Sequence, residues 1–141
     1  MYYMAKHTDP VKQQADCLII GVFMGVQPQL LDKHGNDYLK QILQSGDLGT
    51  EYGQTLLLQN IPGLAAQRVL LVNCGKQEEF SAAVFRKVAA KSIQALKQTG
   101  VKEVISYLAD LSVKDHDTAW KIRQAIESVA EVLYVFDQFK S

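Results

Sequence analysis

Cys17-Leu18-Ile19-Ile20-Gly21-Val22-Phe23 is an apolar run without a charged residue. Successive side chains of a strand leave on opposite faces, so a half-exposed strand alternates apolar and polar residues. This run does not alternate, and it reads as a strand covered on both faces. Asp9 and Pro10 lie before it, and Gly25 and Pro28 follow it. Residues 55–59 (Thr-Leu-Leu-Leu-Gln) and 68–73 (Arg-Val-Leu-Leu-Val-Asn) read in the same way. Between them stands Asn60-Ile61-Pro62-Gly63, where Pro-Gly favours a turn. Residues 103–109 (Glu-Val-Ile-Ser-Tyr-Leu-Ala) give a fourth central strand, and Tyr2-Tyr3-Met4 adds one at the start.

Helical patterns fill the gaps. Residues 29–45 carry Leu30, Leu31, Tyr38, Leu39, Ile42 and Leu43 at helical spacing, with Gly35 as a possible break. Ser81 is placed to cap a helix running to about Thr99, with Gly100 as its stop. Phe85, Val88, Ala89, Ile93 and Leu96 share an arc of about 140° on it. From Thr118 a last helix gathers Ile122, Ala125, Ile126, Val129, Leu133 and Phe136 into an arc of about 100°. Trp120, Glu127, Glu131 and Tyr134 fall on the opposite side. That placement gives Trp120 and Tyr134 as candidate contacts for a neighbouring domain or subunit. The plainer alternative folds Trp120 back over its own domain. Strands alternating with helices imply an α/β domain with a mixed, largely parallel sheet between helices.

Composition bounds the function. The 141 residues suit one domain, which buries roughly two thirds of its open-chain surface. Fifteen basic and fifteen acidic residues give a net charge of +0, against a protein whose main task is gripping nucleic acid or an anionic membrane. No apolar run approaches the roughly 20 residues that span a bilayer, and no leader pattern opens the chain. Cys17 and Cys74 in apolar runs read as buried, reduced thiols of a cytoplasmic protein.

The candidate chemistry is thin. His7, His34 and His116 lack metal-ligand spacing and read as solvated surface histidines. Asn73-Cys74-Gly75-Lys76 stands where a strand end places a ligand loop, but Gln77 and the lack of an upstream glycine exclude a P-loop. Gly21 and Gly25 are too sparse for a dinucleotide fingerprint. Both stretches read as strand-end turns needing positive φ. Asp110, Asp115 and Asp117 read as caps and helix-dipole partners of the last helix rather than metal ligands. Cys74 has no visible base to make it a nucleophile.

Several stretches carry a family resemblance: Gly53-Gln54-Thr55-Leu56-Leu57-Leu58, Arg68-Val69-Leu70-Leu71-Val72-Asn73-Cys74-Gly75-Lys76, and above all Trp120-Lys121-Ile122-Arg123-Gln124-Ala125-Ile126-Glu127 with Tyr134-x-Phe136-Asp137-Gln138-Phe139-Lys140. With the strand at residues 17–23, they resemble the N-terminal domain of bacterial leucyl aminopeptidases, the cytosol aminopeptidase family that includes aminopeptidase A. The resemblance implies a macro domain-like α/β fold over residues 1–141, as the first of two domains. It implies a parent enzyme that removes N-terminal residues, preferably leucine, from peptides with two divalent metal ions (zinc, manganese or magnesium). It also implies a homo-hexamer, with this domain at the outer corners serving assembly, its partner being its own C-terminal catalytic domain. Some bacterial members bind DNA. The family's motifs Asn-Thr-Asp-Ala-Glu-Gly-Arg and Lys-Gly-x-Thr-Phe-Asp-Ser-Gly-Gly do not occur here. No catalytic, cofactor-binding or metal-binding residue therefore carries over, and the chain is expected to be a fragment or a truncated product. A competing expectation is a stand-alone macro-like module for ADP-ribose or a related nucleotide, prompted by the loops after Phe23 and Cys74. A third is a DNA-binding adaptor.

Overall fold

The computed structural model describes residues 1–6, 10–26 and 33–138, with side chains in the last helix as far as Leu133. His7, Leu30 and Leu31 lie outside the described residues, as do the side chains of Tyr134 and Phe136. Five strands, β1 (Tyr2–Ala5), β2 (Cys17–Val22), β3 (Thr55–Gln59), β4 (Arg68–Asn73) and β5 (Glu103–Ser106), form one sheet in the order β1-β5-β2-β4-β3. The first four in that order are parallel, and β3 closes the sheet antiparallel to β4. The helices are α1 (Lys33–Gln44), α2 (Ala82–Leu96) and α3 (Thr118–Gln138).

The central run behaves as its lack of alternation requires. All six residues of β2 are buried, and β4 and β5 pair with its two edges. Its alternate side chains feed two cores. Cys17 and Ile19 join Leu70, Val72 and Val104 beneath α2 and α3. Leu18, Ile20 and Val22 join Val69, Leu71 and Ile105 beneath α1 and its Leu39. The result is a three-layer α/β domain. The Asp16 carboxylate ties the start of β2 to β5 by accepting from Lys102 N (2.9 Å) and Glu103 N (3.2 Å), and these bonds hold it below the usual carboxylate range.

Local chemistry explains several boundaries. Ser81 Oγ accepts from Val84 N at 3.2 Å and starts α2. Phe85, Val88, Ala89, Ile93 and Leu96 are all fully buried on it. At the Pro62-Gly63 turn, Leu64 N donates to Ile61 O (3.3 Å) and Gly63 takes φ +80°.

Five expectations need correction. Residues 103–109 are a strand only to Ser106. Tyr107 N still bonds Ile19 O (2.9 Å), but Leu108–Asp110 then winds into a 3-10 turn whose buried side chains mimic a strand's. α2 ends at Leu96, not Thr99, because the Thr99 hydroxyl turns back onto Leu96 O (2.6 Å), and Gly100 lies past the end. Gly35 does not break α1; it is buried inside that helix. β3 is not covered on both faces: it is an edge strand, and only Leu58 in it is buried. The buried side of α3 carries Lys121, Ala125, Ser128 and Val129, and Ile126 is 48% exposed. That side is rolled by roughly 60–70° from the expected stripe. Lys121 explains the roll, because its ammonium donates to Leu111 O at 2.9 Å and draws this flank down onto the segment before α3.

No helix among the described residues is long and apolar enough to cross a membrane. Gly21, inside β2, is required by space: a Cβ there would stand 2.6 Å from Leu111 Cδ1 and 2.8 Å from Cys74 Sγ. Gly21→Ala should destabilise the domain by about 1–3 kcal/mol through overpacking. Gly100→Ala, with open space around it, should shift stability by about 1 kcal/mol or less. Urea unfolding of the two variants checks the contrast.

Candidate functional site

In an open parallel sheet, ligands sit outside the carboxyl ends of strands whose following connections leave in different directions. Here that place lies beyond β2, which leads to α1 on one face, and β4, which leads to α2 on the other. Those strand ends do not part. Cys74 N donates to Val22 O (2.8 Å) and Met24 N to Gly75 O (2.9 Å), so the ladder runs on past both strands and seals the crevice. Below the seal, Leu108, Leu111 and Cys74 fill the space over Gly21.

Asn73 locks this end. Its Oδ1 accepts from Gly75 N (2.8 Å) and its Nδ2 donates to Gly49 O (3.1 Å), while its carbonyl accepts from Gly53 N (2.7 Å). It thereby holds the loop at residues 46–53 against the β4 end. Gly25 (φ +75°) and Gly75 (φ +73°) take the expected left-handed turns. Gly21 does not, and is needed for close packing instead.

Beside the seal runs a row of rings on the α2/α3 side. Phe23–Phe80, Phe80–Phe85 and Phe85–Trp120 have centroids 5.0, 6.0 and 5.9 Å apart, and His116 stacks on Trp120 at 3.7 Å. This corrects the outward placement of Trp120, which packs on the core of its own domain. His116 is accordingly half-buried rather than freely solvated, whereas His34 is exposed. Of the acidic cluster, Asp117 caps α3, its Oδ1 accepting from Trp120 N (2.8 Å), whereas Asp115 occupies a left-handed turn (φ 66°) and Asp110 sits in the 3-10 turn before it. Among the described residues no three His, Cys, Asp or Glu side chains converge on a point that could hold a metal ion.

Burial pushes both thiols up to about 12, so neither is a ready nucleophile. Lys121, which the helical pattern of the sequence did not single out, is a buried cation on α3. Two open cavities flank the sealed ends. One of about 340 Å³ lies toward α1 and one of about 740 Å³ lies against α2.

Removing the Asn73 side chain leaves Gly75 N and Gly49 O without partners, so Asn73→Ala should cost about 1–3 kcal/mol in urea unfolding. The thiols give a pH dependence. Their folded values lie above those of the unfolded chain, so their contribution is full below about pH 9 and is lost as pH rises toward 12. Tyr3, which burial also raises to about 12, acts in the same direction. Stability measured from pH 8 upward should fall, and Cys74→Ala should make the fall shallower.

Comparison with known proteins adds what the geometry lacks. Residues 19–141 match the model of the cytosol aminopeptidase family, N-terminal domain. The cytosol aminopeptidase of Vibrio cholerae serotype O1 is 41% identical over 145 residues, spanning 100% of this chain and 29% of that protein. The probable cytosol aminopeptidase of Idiomarina loihiensis is 42% identical over 146 residues with the same coverage. The chain thus spans about three tenths of the length of these curated relatives. Among solved structures, the macrodomain of Mycobacterium tuberculosis DarG superposes with a TM-score of 0.65 at 11% identity, covering 93% of this chain and 91% of that one. At such identity the likeness speaks for a macro-like fold alone. The family match and the identity along the whole chain carry the assignment: this chain belongs to the cytosol aminopeptidase family, as its N-terminal domain.

Proposed function

We propose that this chain is the non-catalytic N-terminal domain of a cytoplasmic leucyl aminopeptidase. Its parent removes N-terminal residues, preferably leucine, from peptides. The observation that carries the reading is 41% identity along the whole chain to proteins of which it covers 29%. The described residues do not fit a divalent metal pair, since the acids near α3 serve as caps and turn residues and both cysteines are buried. Zinc or manganese chemistry belongs to the catalytic domain that the family carries. Within this reading the domain's role is assembly, docked on its own catalytic domain in a homo-hexamer. Trp120 serves by supporting the start of α3 from within. The nucleotide-module alternative has the macrodomain likeness in its favour and the sealed β2/β4 crevice against it.

Leucine p-nitroanilide with added Mn²⁺ or Zn²⁺ should show no turnover by this chain alone, whereas the full-length parent should hydrolyse it. Turnover by the chain alone would overthrow the reading. Calorimetry with ADP-ribose is expected to give no heat of binding, and micromolar affinity would favour the alternative. A DNA-binding adaptor would instead reveal itself by a steep salt slope in a gel-shift titration.

A further inference from the structure

The groove of about 740 Å³ against α2 flanks the sealed crevice and shares Met24 and Gly75 with its rim. Its volume falls within the range of small-molecule sites, roughly 300–1,000 Å³. Its walls differ in character. Met24 and Tyr52, 44% and 45% exposed, supply an apolar side. α2 supplies Lys87 and Lys91, one turn apart on either side of Ala90. Lys76 brings a third ammonium from the loop after β4, and Glu51 and Glu79 bring two carboxylates. None of these five charged side chains makes an ion pair or hydrogen bond with a described residue. Charges of both signs thus ring one apolar-walled groove without neutralising one another.

The frame that holds them is stiff. Gly53 and Gly75 stand at φ +90° and +73°, each bonded to Asn73. Glu51 N donates to Gln54 Oε1 at 2.7 Å, which fixes the turn bearing Glu51 and Tyr52. The stem of Lys91 lies so close over Gly53 that a Cβ there would meet its Cγ at 3.3 Å. A pre-ordered wall lowers the ordering cost of binding.

A simple anion would satisfy the lysines, leave Glu51 and Glu79 opposing it, and leave the Tyr52–Met24 wall in water. A molecule bearing both charges on an apolar body uses all three features. We propose that this groove binds a zwitterion with an apolar body, a free amino acid or short peptide. Its carboxylate meets Lys87 and Lys91, its ammonium meets Glu51, and its side chain lies on Tyr52 and Met24. The site is a property of this domain itself and stands or falls separately from the family placement.

Amide NMR spectra of the chain titrated with the dipeptide Phe-Leu test this. Saturable shifts at Gly53 and Gly75 are expected. N-acetyl-Phe-Leu-amide, which lacks both charges, and inorganic phosphate should leave those amides in place. Lys91→Glu should weaken binding about tenfold or more, Lys91→Arg should retain it, and Tyr52→Ala should also weaken it. Both side chains, Lys91 and Tyr52, are exposed, so thermal melting of the three variants should be unchanged and loss of fold is excluded as a cause. The proposal is overturned by no shift at Phe-Leu concentrations on the order of 10 mM, by equal shifts from the blocked dipeptide or phosphate, or by undiminished binding to Lys91→Glu.

Discussion

The two-sided burial of β2 governs the rest of the structure. A strand paired on both edges and covered on both faces has no polar outlet, so each of its side chains must be apolar or absent. Cys17 and Ile19 must then meet a helical layer on one side, and Leu18, Ile20 and Val22 one on the other. The amphipathic stripes of α1 and α2 answer that demand. Gly21 is the one position where a side chain gives way, because Leu108, Leu111 and Cys74 already occupy its space.

The same constraint bears on chemistry. A parallel sheet invites a ligand at its carboxyl end because the following loops usually separate there. In this chain the β2/β4 ladder continues through Cys74 and Met24, and Asn73 ties the neighbouring loop to it. The place that the fold would offer a ligand is spent on closure. This is why the macrodomain likeness at 11% identity says little about activity, while 41% identity along the chain says a great deal about family. The shared backbone reflects layer packing, which many sequences satisfy. The shared residues reflect a particular solution to it.

What could be read from the sequence followed from how local the signal was. The run at residues 17–23, the Ser81 cap, the Pro62-Gly63 turn and the buried face of α2 each rest on a few neighbouring residues, and each stands in the structure. The misread features were decided by distant partners. Residues 107–109 are as apolar as a strand, but the Leu108–Asp110 turn is set by packing against β2 and α3. The roll of α3 is set by Lys121 reaching the Leu111 carbonyl, a bond between a cation and a backbone group that hydropathy scores as exposure. Trp120 lies off the apolar stripe by helical angle, yet its ring is long enough to reach Phe85 from the first turn of α3. Helical periodicity places Cα–Cβ directions, and large rings can reach beyond the arc their position assigns.

Net charge misleads in a related way. Fifteen cations and fifteen anions cancel over the whole chain, yet screening confines exposed charges to neighbours within about 10 Å. What a ligand senses is the local set, and near α2 that set is three lysines and two glutamates that pair with no described residue, around Met24 and Tyr52. These residues come from four separate segments of the chain, brought together by β2, β4, the Asn73-held loop and α2. No window of sequence contains the cluster, so the composition that excludes a general polyanion binder leaves a mixed-charge groove entirely open. A groove of this kind also differs from the sealed crevice in what it requires of the fold: closure needs a continuous backbone ladder, whereas charge presentation needs only rigid loops and long side chains at their rims.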